Sequence, residues 1–306
     1  MKVSGAEAVC AAASPFVGQG ESAVLIKPFI PYLTKAECHQ IMCSGFATIA
    51  GSVLVAYISF GINPQALLSS WYIPPIMRVN VSVMSIPASL AVSKIRMPET
   101  EQPITEGKVV VPESDIWQKV NALHAFSDGA WTGLVVAGTI VTNLLCIIAL
   151  VALIDTLLGW IGSFFQVPQL SIVFIAGYIL YPIAGLLGVP SQDIYHVAQL
   201  LGIKVVQNEF VAYIALSSDP RYSGMAPRSQ LIATYALCGF GNIGSVGIQI
   251  GVLGQLGPAR KNIFAKVALS ALLTGVLATL MSASIAGMVL MDETSIVPPN
   301  SNSTMI

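Results

Sequence analysis

Two glutamates carry the clearest chemical signal in this chain. Glu21 lies in Gln19-Gly20-Glu21 and Glu209 in Gln207-Asn208-Glu209. Each is followed by an apolar stretch and then by a Gly-Phe motif, Gly45-Phe46-Ala47-Thr48-Ile49 after the first and Gly239-Phe240-Gly241-Asn242-Ile243 after the second. An ionisable side chain at membrane depth costs about 3 kcal/mol, which makes it a functional candidate by default. The plainer alternative is that each carboxylate caps its own short helix, and the two roles can coexist. Phe240, Asn242 and Ser245 stand at i, i+2 and i+5, a spacing that fits no single helix face. A break at Gly239, Gly241 and Gly244 would aim all three at one cavity, offering a flat aromatic face, an amide and a hydroxyl. That set suits a heterocycle carrying hydroxyls. Core packing for Phe240 and an interhelical hydrogen bond for Asn242 are the alternatives. Thr48 and Ser52 can ligate, or bond back to the carbonyl four residues earlier.

The elements that hold these residues are apolar. Hydrophobic residues make up 55% of the 306 and charged ones 9%, against about 25% in a soluble domain. Lys plus Arg number 14 and Asp plus Glu 15. The balance excludes a basic nucleic-acid binder and an acidic disordered chain, and indicates an integral membrane protein. Residues 40–77, 129–154, 156–192, 229–259 and 267–291 carry no Lys, Arg, Asp or Glu. Full spans are expected at Trp131–Ile154, Ser229–Leu256 and Val267–Met291, with two more at Ile41–Ile62 and Trp71–Val92. An interfacial helix is expected near Leu170–Val189. The segments flanking the two glutamates, Glu7–Gly18 with Glu21–Phe29 and Asp193–Val206 with Glu209–Leu216, are each about half a bilayer long. They read as two re-entrant helical hairpins, whose irregular tips are tolerated where they face protein or a watery cavity.

Orientation follows from Pro258–Lys266, which has three basic residues and no acid and reads as cytoplasmic. The tail after Met291, with its Asn302-Ser303-Thr304 sequon, then lies outside. Three isolated His and five scattered Cys make no metal or disulfide pattern, and no hydrolase, metalloprotease or P-loop motif occurs. The chain reads as a transporter rather than an enzyme.

The strings VSGAEAVCAAASPFVGQGESAVLIKPF, GFATIAGSVLVAYISFGI, QNEFVAY and CGFGNIGS resemble the concentrative nucleoside transporter family, from about Val3 to Met291. The resemblance implies an all-α polytopic membrane protein of the plasma membrane, an inverted-repeat transporter with two re-entrant hairpins and broken transmembrane helices. It implies sodium-coupled import of nucleosides by an elevator motion within a homotrimer, in contact with membrane lipids and without nucleic acid. Nucleoside contacts carried over are Gln19, Gly20, Glu21, Val53, Glu209, Phe240, Asn242 and Ser245. Base selectivity falls on Gly18 with Gln19 and on Ser52 with Val53, in the pattern of members that take purines and pyrimidines. The coupling sodium, in place of any cofactor, falls on Ser14, Val17, Thr48 and Ile49; many members have Asn where Ser14 stands.

The implied layout is a first hairpin (1–39), a broken helix and following span (40–93), and a cytoplasmic loop (94–119). A long scaffold-helix region (120–169), an interfacial helix with the second hairpin (170–217), a second broken helix with the last span (218–291) and an extracellular tail (292–306) complete it. Family members carry further helices before the first hairpin. A truncated, non-transporting subunit that joins full-length copies is therefore the rival expectation, and a proton-coupled carrier of another hydroxylated solute is a second.

Overall fold

The computed structural model describes residues 3–50, 75–105, 121–167 and 169–289, and every element among them is helical. In chain order these are α1 (Gly5–Val17), α2 (Glu21–Leu25), α3 (Lys35–Ala47), α4 (Pro75–Arg96) and α5 (Ala122–Phe164). They continue as α6 (Ile172–Leu186), α7 (Ile194–Val206), α8 (Glu209–Ser218), α9 (Pro227–Leu237), α10 (Ile243–Leu256) and α11 (Lys261–Val289). Short 3-10 turns at Lys27–Tyr32, Pro220–Tyr222 and Pro258–Arg260 follow α2, α8 and α10. Among the described residues, two elements are long and apolar enough to cross a membrane, Ala122–Phe164 and Pro258–Val289. The loop residues 106–119, the tail with Asn302, Ser52 and Val53 lie outside the described residues.

The expected span Ser229–Leu256 is two helices, α9 and α10, separated at the glycine-rich segment Cys238–Asn242. The sequence shows why. Gly239 adopts φ +151°, where a side chain is strained, and its Cα approaches the α3 carbonyls so closely that a Cβ would stand 3.0 Å from the Phe46 oxygen. Asn242 then restarts the helix by accepting the Ser245 N–H at 2.7 Å. The last helix begins at Lys261, six residues ahead of the expected Val267, because Pro258 and the basic turn nucleate it.

Two apolar cores form, one around each glutamate segment. The first gathers Cys10, Ala23 and Ile30 with Met42, Phe46, Val252 and Phe264; the second gathers Val197, Leu200, Tyr213, Leu231 and Leu237 with Leu280 and Ala283. Helix α11 passes through both. It does so by being small where α3 crosses it, since a Cβ on Gly275 would lie 2.6 Å from Phe46 Cβ. The buried His39 ring ties three helices together, meeting Ser93 Oγ of α4 at 2.8 Å and Ser270 Oγ of α11 at 3.2 Å.

The two halves share a plan. Helices α1 and α3 both open with capping boxes, Ser4 with Glu7 and Thr34 with Glu37. Both openings are drawn together by Lys94, which pairs with Glu7 at 2.7 Å and Glu99 at 3.6 Å, while Thr34 donates to Glu99. In the second half Asp193, just ahead of α7, receives the Ala226 N–H and the Ser229 hydroxyl at the start of α9. Each pair of helices thus starts side by side. Helix α5 stands outside both cores with mostly exposed apolar side chains, Val136 being an exception. It lies against α10 where Gly247 and Gly251 remove side chains, since Cβ atoms there would come within 2.8 Å of Asn143 Oδ1 and 2.6 Å of Thr139 Cγ2.

Candidate functional site

Where the helix ends converge, a cavity of about 230 Å³ opens. That is just below the usual range of about 300–1,000 Å³ for small-molecule pockets and fits one compact solute. Its floor and sides come from four places far apart in sequence. Gly18, Gln19, Gly20 and Glu21 join α1 to α2; Asn208, Glu209 and Phe210 open α8; Phe240, Asn242 and Ser245 line the break between α9 and α10; Ala50 follows α3. The far wall is Ile140 and Leu144 of α5 with Ile248. Seven of the eight residues expected to contact a nucleoside therefore face one space; Val53 is the eighth.

The polar groups are held by one another. Asn208 caps α8 by accepting the Val211 N–H at 2.9 Å. Asn242 Nδ2 donates to Glu209 Oε2 at 2.9 Å, so the amide of one broken-helix start orients the carboxylate of the other segment. Glu209 is 4% exposed and lines the cavity, and its carboxylate also accepts its own backbone N–H at the start of α8. Glu21 opens α2 behind Gly20, which supplies no side-chain cap, and its carboxylate is exposed to the cavity. At Glu209 the capping and cavity-facing roles coexist.

Gln19 bridges the halves. Its Nε2 donates to Ser245 Oγ at 3.4 Å, and its Oε1 receives Gln249 Nε2 at 3.3 Å. Gln249 is 2% exposed and was not singled out by the sequence; it sits one helical turn after Ser245, and that i, i+4 spacing is the signal that points to it. Its approach depends on Gly45, where a Cβ would collide with Gln249 Nε2. Gly18 has φ +110°, and a Cβ there would meet Glu21 Oε2 at 2.6 Å, so glycine is what lets the glutamate turn inward.

The four residues expected around sodium lie at the ends of α1 and α3. Ser14 and Thr48 are fully buried. Each hydroxyl donates its proton to the preceding turn, Ser14 to the Cys10 carbonyl at 2.7 Å and Thr48 to the Ser44 carbonyl at 2.9 Å. The back-bonding alternative for Thr48 is therefore what the structure contains. It does not exclude ligation, because a hydroxyl whose proton is committed presents its lone pairs elsewhere. Val17 ends α1 and Ile49 follows α3, positions whose carbonyls have no partner within their helix. The Thr48 carbonyl, by contrast, receives the Phe240 N–H at 3.2 Å. An all-oxygen donor set of this kind fits a hard monovalent cation.

A family model described as "Na+ dependent nucleoside transporter C-terminus" matches residues 79–287. Solute carrier family 28 member 3 of Rattus norvegicus is 44% identical over 296 residues, and sodium/nucleoside cotransporter 1 of the same organism is 38% identical over 302. These alignments cover 92% and 94% of this chain and 40% and 44% of the relatives, so the chain spans about two fifths of their length. A structure of CNTnw in an inward-facing substrate-bound state matches with TM-score 0.73 and 32% identity, covering 94% of this chain and 65% of that one. A variant of CNTnw in an intermediate state matches with TM-score 0.80 and 32% identity, covering 94% and 67%. The chain belongs to the Na+-dependent nucleoside transporter family, and its match lies in that family's C-terminal part.

Proposed function

We propose that this chain carries nucleosides into the cell together with sodium, across the plasma membrane, as a multi-pass protein and within a homotrimer surrounded by lipid. The observation that carries the reading is the convergence of Gln19, Glu21, Glu209, Phe240, Asn242 and Ser245 on one cavity. Glu209 and Asn242 suit the ribose hydroxyls, the carboxylate as acceptor and the amide as donor or acceptor. Phe240 lies beneath sugar and base. Gln19, held by Gln249, reads the base edge through its amide, and with Gly18, Ser52 and Val53 sets selectivity for both purines and pyrimidines.

Sodium sits between the ends of α1 and α3, on Ser14 and Thr48 hydroxyl oxygens and the carbonyls of Val17 and Ile49. Val17 is followed directly by Gly18 and Gln19, so the ion that orders one orders the other. Coupling is then a population shift, and it requires tighter nucleoside binding by the sodium-loaded state. The segments around Glu21 and Glu209 act as re-entrant hairpins of an inverted repeat, and the cavity travels with them past α5 in an elevator motion. The basic turn Pro258–Lys266 faces the cytoplasm. Arg260 Nε donates to the Pro31 carbonyl at 3.0 Å, a contact that supports putting the base of the first hairpin on that side.

The test is uptake of tritiated uridine and adenosine by cells expressing the chain, in sodium or in choline at fixed pH, with Glu209→Gln beside it. Sodium-dependent uptake of both, lost in Glu209→Gln, is the expected result. Equal uptake in choline overturns sodium coupling, and wild-type uptake by Glu209→Gln overturns the site.

A further inference from the structure

Lys204 is 1% exposed and is used neither by the nucleoside contacts nor by the sodium seat. It lies near the end of α7, and its Nζ donates at 2.7 Å to the carbonyl of Ala236, the next-to-last residue of α9. An ammonium is expensive to bury without compensation. Here three things compensate it: the Ala236 oxygen, the negative end of the α9 dipole, and attraction to the buried Glu209 carboxylate. Tyr213 of α8 reinforces the same helix end by donating to the Thr234 carbonyl at 2.9 Å. Both helices of the Glu209 segment thus reach for the open carbonyls of α9, directly ahead of the break that carries Phe240 and Asn242.

The first half has the same plan without the ammonium. Thr48 and Ala236 each lie 27 residues after their glutamates, Glu21 and Glu209. Five residues before Glu209 stands Lys204; five before Glu21 stands Phe16, which points outward at 67% exposure. The residues expected to seat sodium there, Ser14, Val17, Thr48 and Ile49, offer hydroxyl and carbonyl oxygens and no ammonium, and Ser14 Oγ also meets Ser22 Oγ at 3.2 Å. We propose that Lys204 is a tethered cation, doing for the second hairpin what a free cation does for the first. It bridges a hairpin end to the carbonyl end of a broken helix and thereby holds Glu209 and Asn242 in register. It is a positioning residue, since the ammonium touches no solute. One side of the cavity is permanently assembled and the other waits for an ion, which confines ion coupling to the first hairpin. The functional half of this inference rests on the nucleoside reading above; the bridge itself does not.

The test uses the purified full chain in detergent, with melting temperature and tritiated-uridine binding as readouts, for wild type, Lys204→Ala and Lys204→Met. Propylammonium has the four heavy atoms that Lys204→Ala removes and carries the charge; 1-propanol has the same number and is neutral. Lys204→Ala is expected to bind uridine about tenfold more weakly or worse and to melt earlier. Propylammonium, and not 1-propanol, restores both, while Lys204→Met stays impaired in either. Equal restoration by 1-propanol, restoration by neither, or wild-type behaviour of Lys204→Met overturns the tethered cation. A Lys204→Ala chain recovered folded only with propylammonium present during extraction supports it, and one recovered with neither additive counts against it. Should the wild-type chain bind no uridine, the nucleoside reading fails by itself. The propylammonium dependence of the Lys204→Ala melting temperature still decides the bridge.

Discussion

Replacing Gln249 by Leu separates base reading from folding and from sodium. The Gln249 Nε2 to Gln19 Oε1 bond is 3.3 Å long, neutral on both sides and part-buried. Such a bond contributes about 0.5–1.5 kcal/mol, so its loss lowers uridine affinity by about 2- to 10-fold. The same substitution removes Gln249 Oε1, which is buried without a hydrogen-bond partner, and Leu refills most of the side-chain volume. Relief of that unpaired acceptor works against the loss of this bond and of the longer 3.5 Å bond from Nε2 to the Met42 carbonyl, and the melting temperature stays close to the wild-type value. With its carbonyl freed, the Gln19 amide can rotate away from Ser245, so the ratio of uridine to adenosine affinity changes as well. Sodium half-saturation stays put, because Ser14, Val17, Thr48 and Ile49 are not neighbours of Gln249 in this network. The assay is competitive binding of the two nucleosides to purified protein across a sodium titration. Unchanged affinity for both nucleosides, or a clearly lowered melting temperature, refutes the reasoning.

Other substitutions probe separate parts of the arrangement. Thr48→Val keeps shape and removes a hydroxyl, so sodium half-saturation rises several-fold while uridine affinity at saturating sodium is kept; a sodium titration of uridine binding reads this directly. Gly18→Ala forces a side chain into φ +110° and against Glu21 Oε2, at a cost of about 1–2 kcal/mol in strain alone, and uptake falls although surface biotinylation finds the protein in place. Gly275→Leu drives a side chain into Phe46 and the Cys43 carbonyl, and the melting temperature drops by the equivalent of about 1–3 kcal/mol or the chain fails to fold.

Much of the site was legible because it repeats. The matching Gln-x-Glu and Gly-Phe strings pointed to Glu21, Glu209, Phe240, Asn242 and Ser245 before any geometry was known. Glycines at 239, 241 and 244 announced that these residues would not follow a helical stripe. The break in Ser229–Leu256 was harder to place from hydropathy, which averages over five residues of irregular backbone when both flanks are apolar. Gln249 escaped notice because a glutamine in an apolar helix looks like any other interhelical hydrogen bond; its role depends on Gly45, two hundred residues away, leaving room for it. Lys204 was hidden for a related reason. A lysine near the end of an amphipathic-looking segment reads as an interfacial anchor, and only the position of the Ala236 carbonyl shows that it points inward. Long-range partners of this kind leave no periodicity in a single sequence.

The α5 wall has a mechanical consequence. At 43 residues the helix is about 65 Å long, roughly twice the hydrocarbon thickness of a bilayer, so it leans or projects. It offers the cavity only two methyl-bearing side chains, Ile140 and Leu144, while every hydrogen-bonding group in the lining belongs to the parts that would move. Its contact with α10 runs over Gly247 and Gly251, whose notches receive the Asn143 and Thr139 side chains of α5. Under the elevator motion proposed above, sliding along α5 breaks no hydrogen bond to the solute, but it must lift these two side chains out of their notches, which makes the track stepped. The solute's grip comes from the cavity side chains and the steps from Asn143 and Thr139, so affinity can be tuned on one set without altering the stops set by the other.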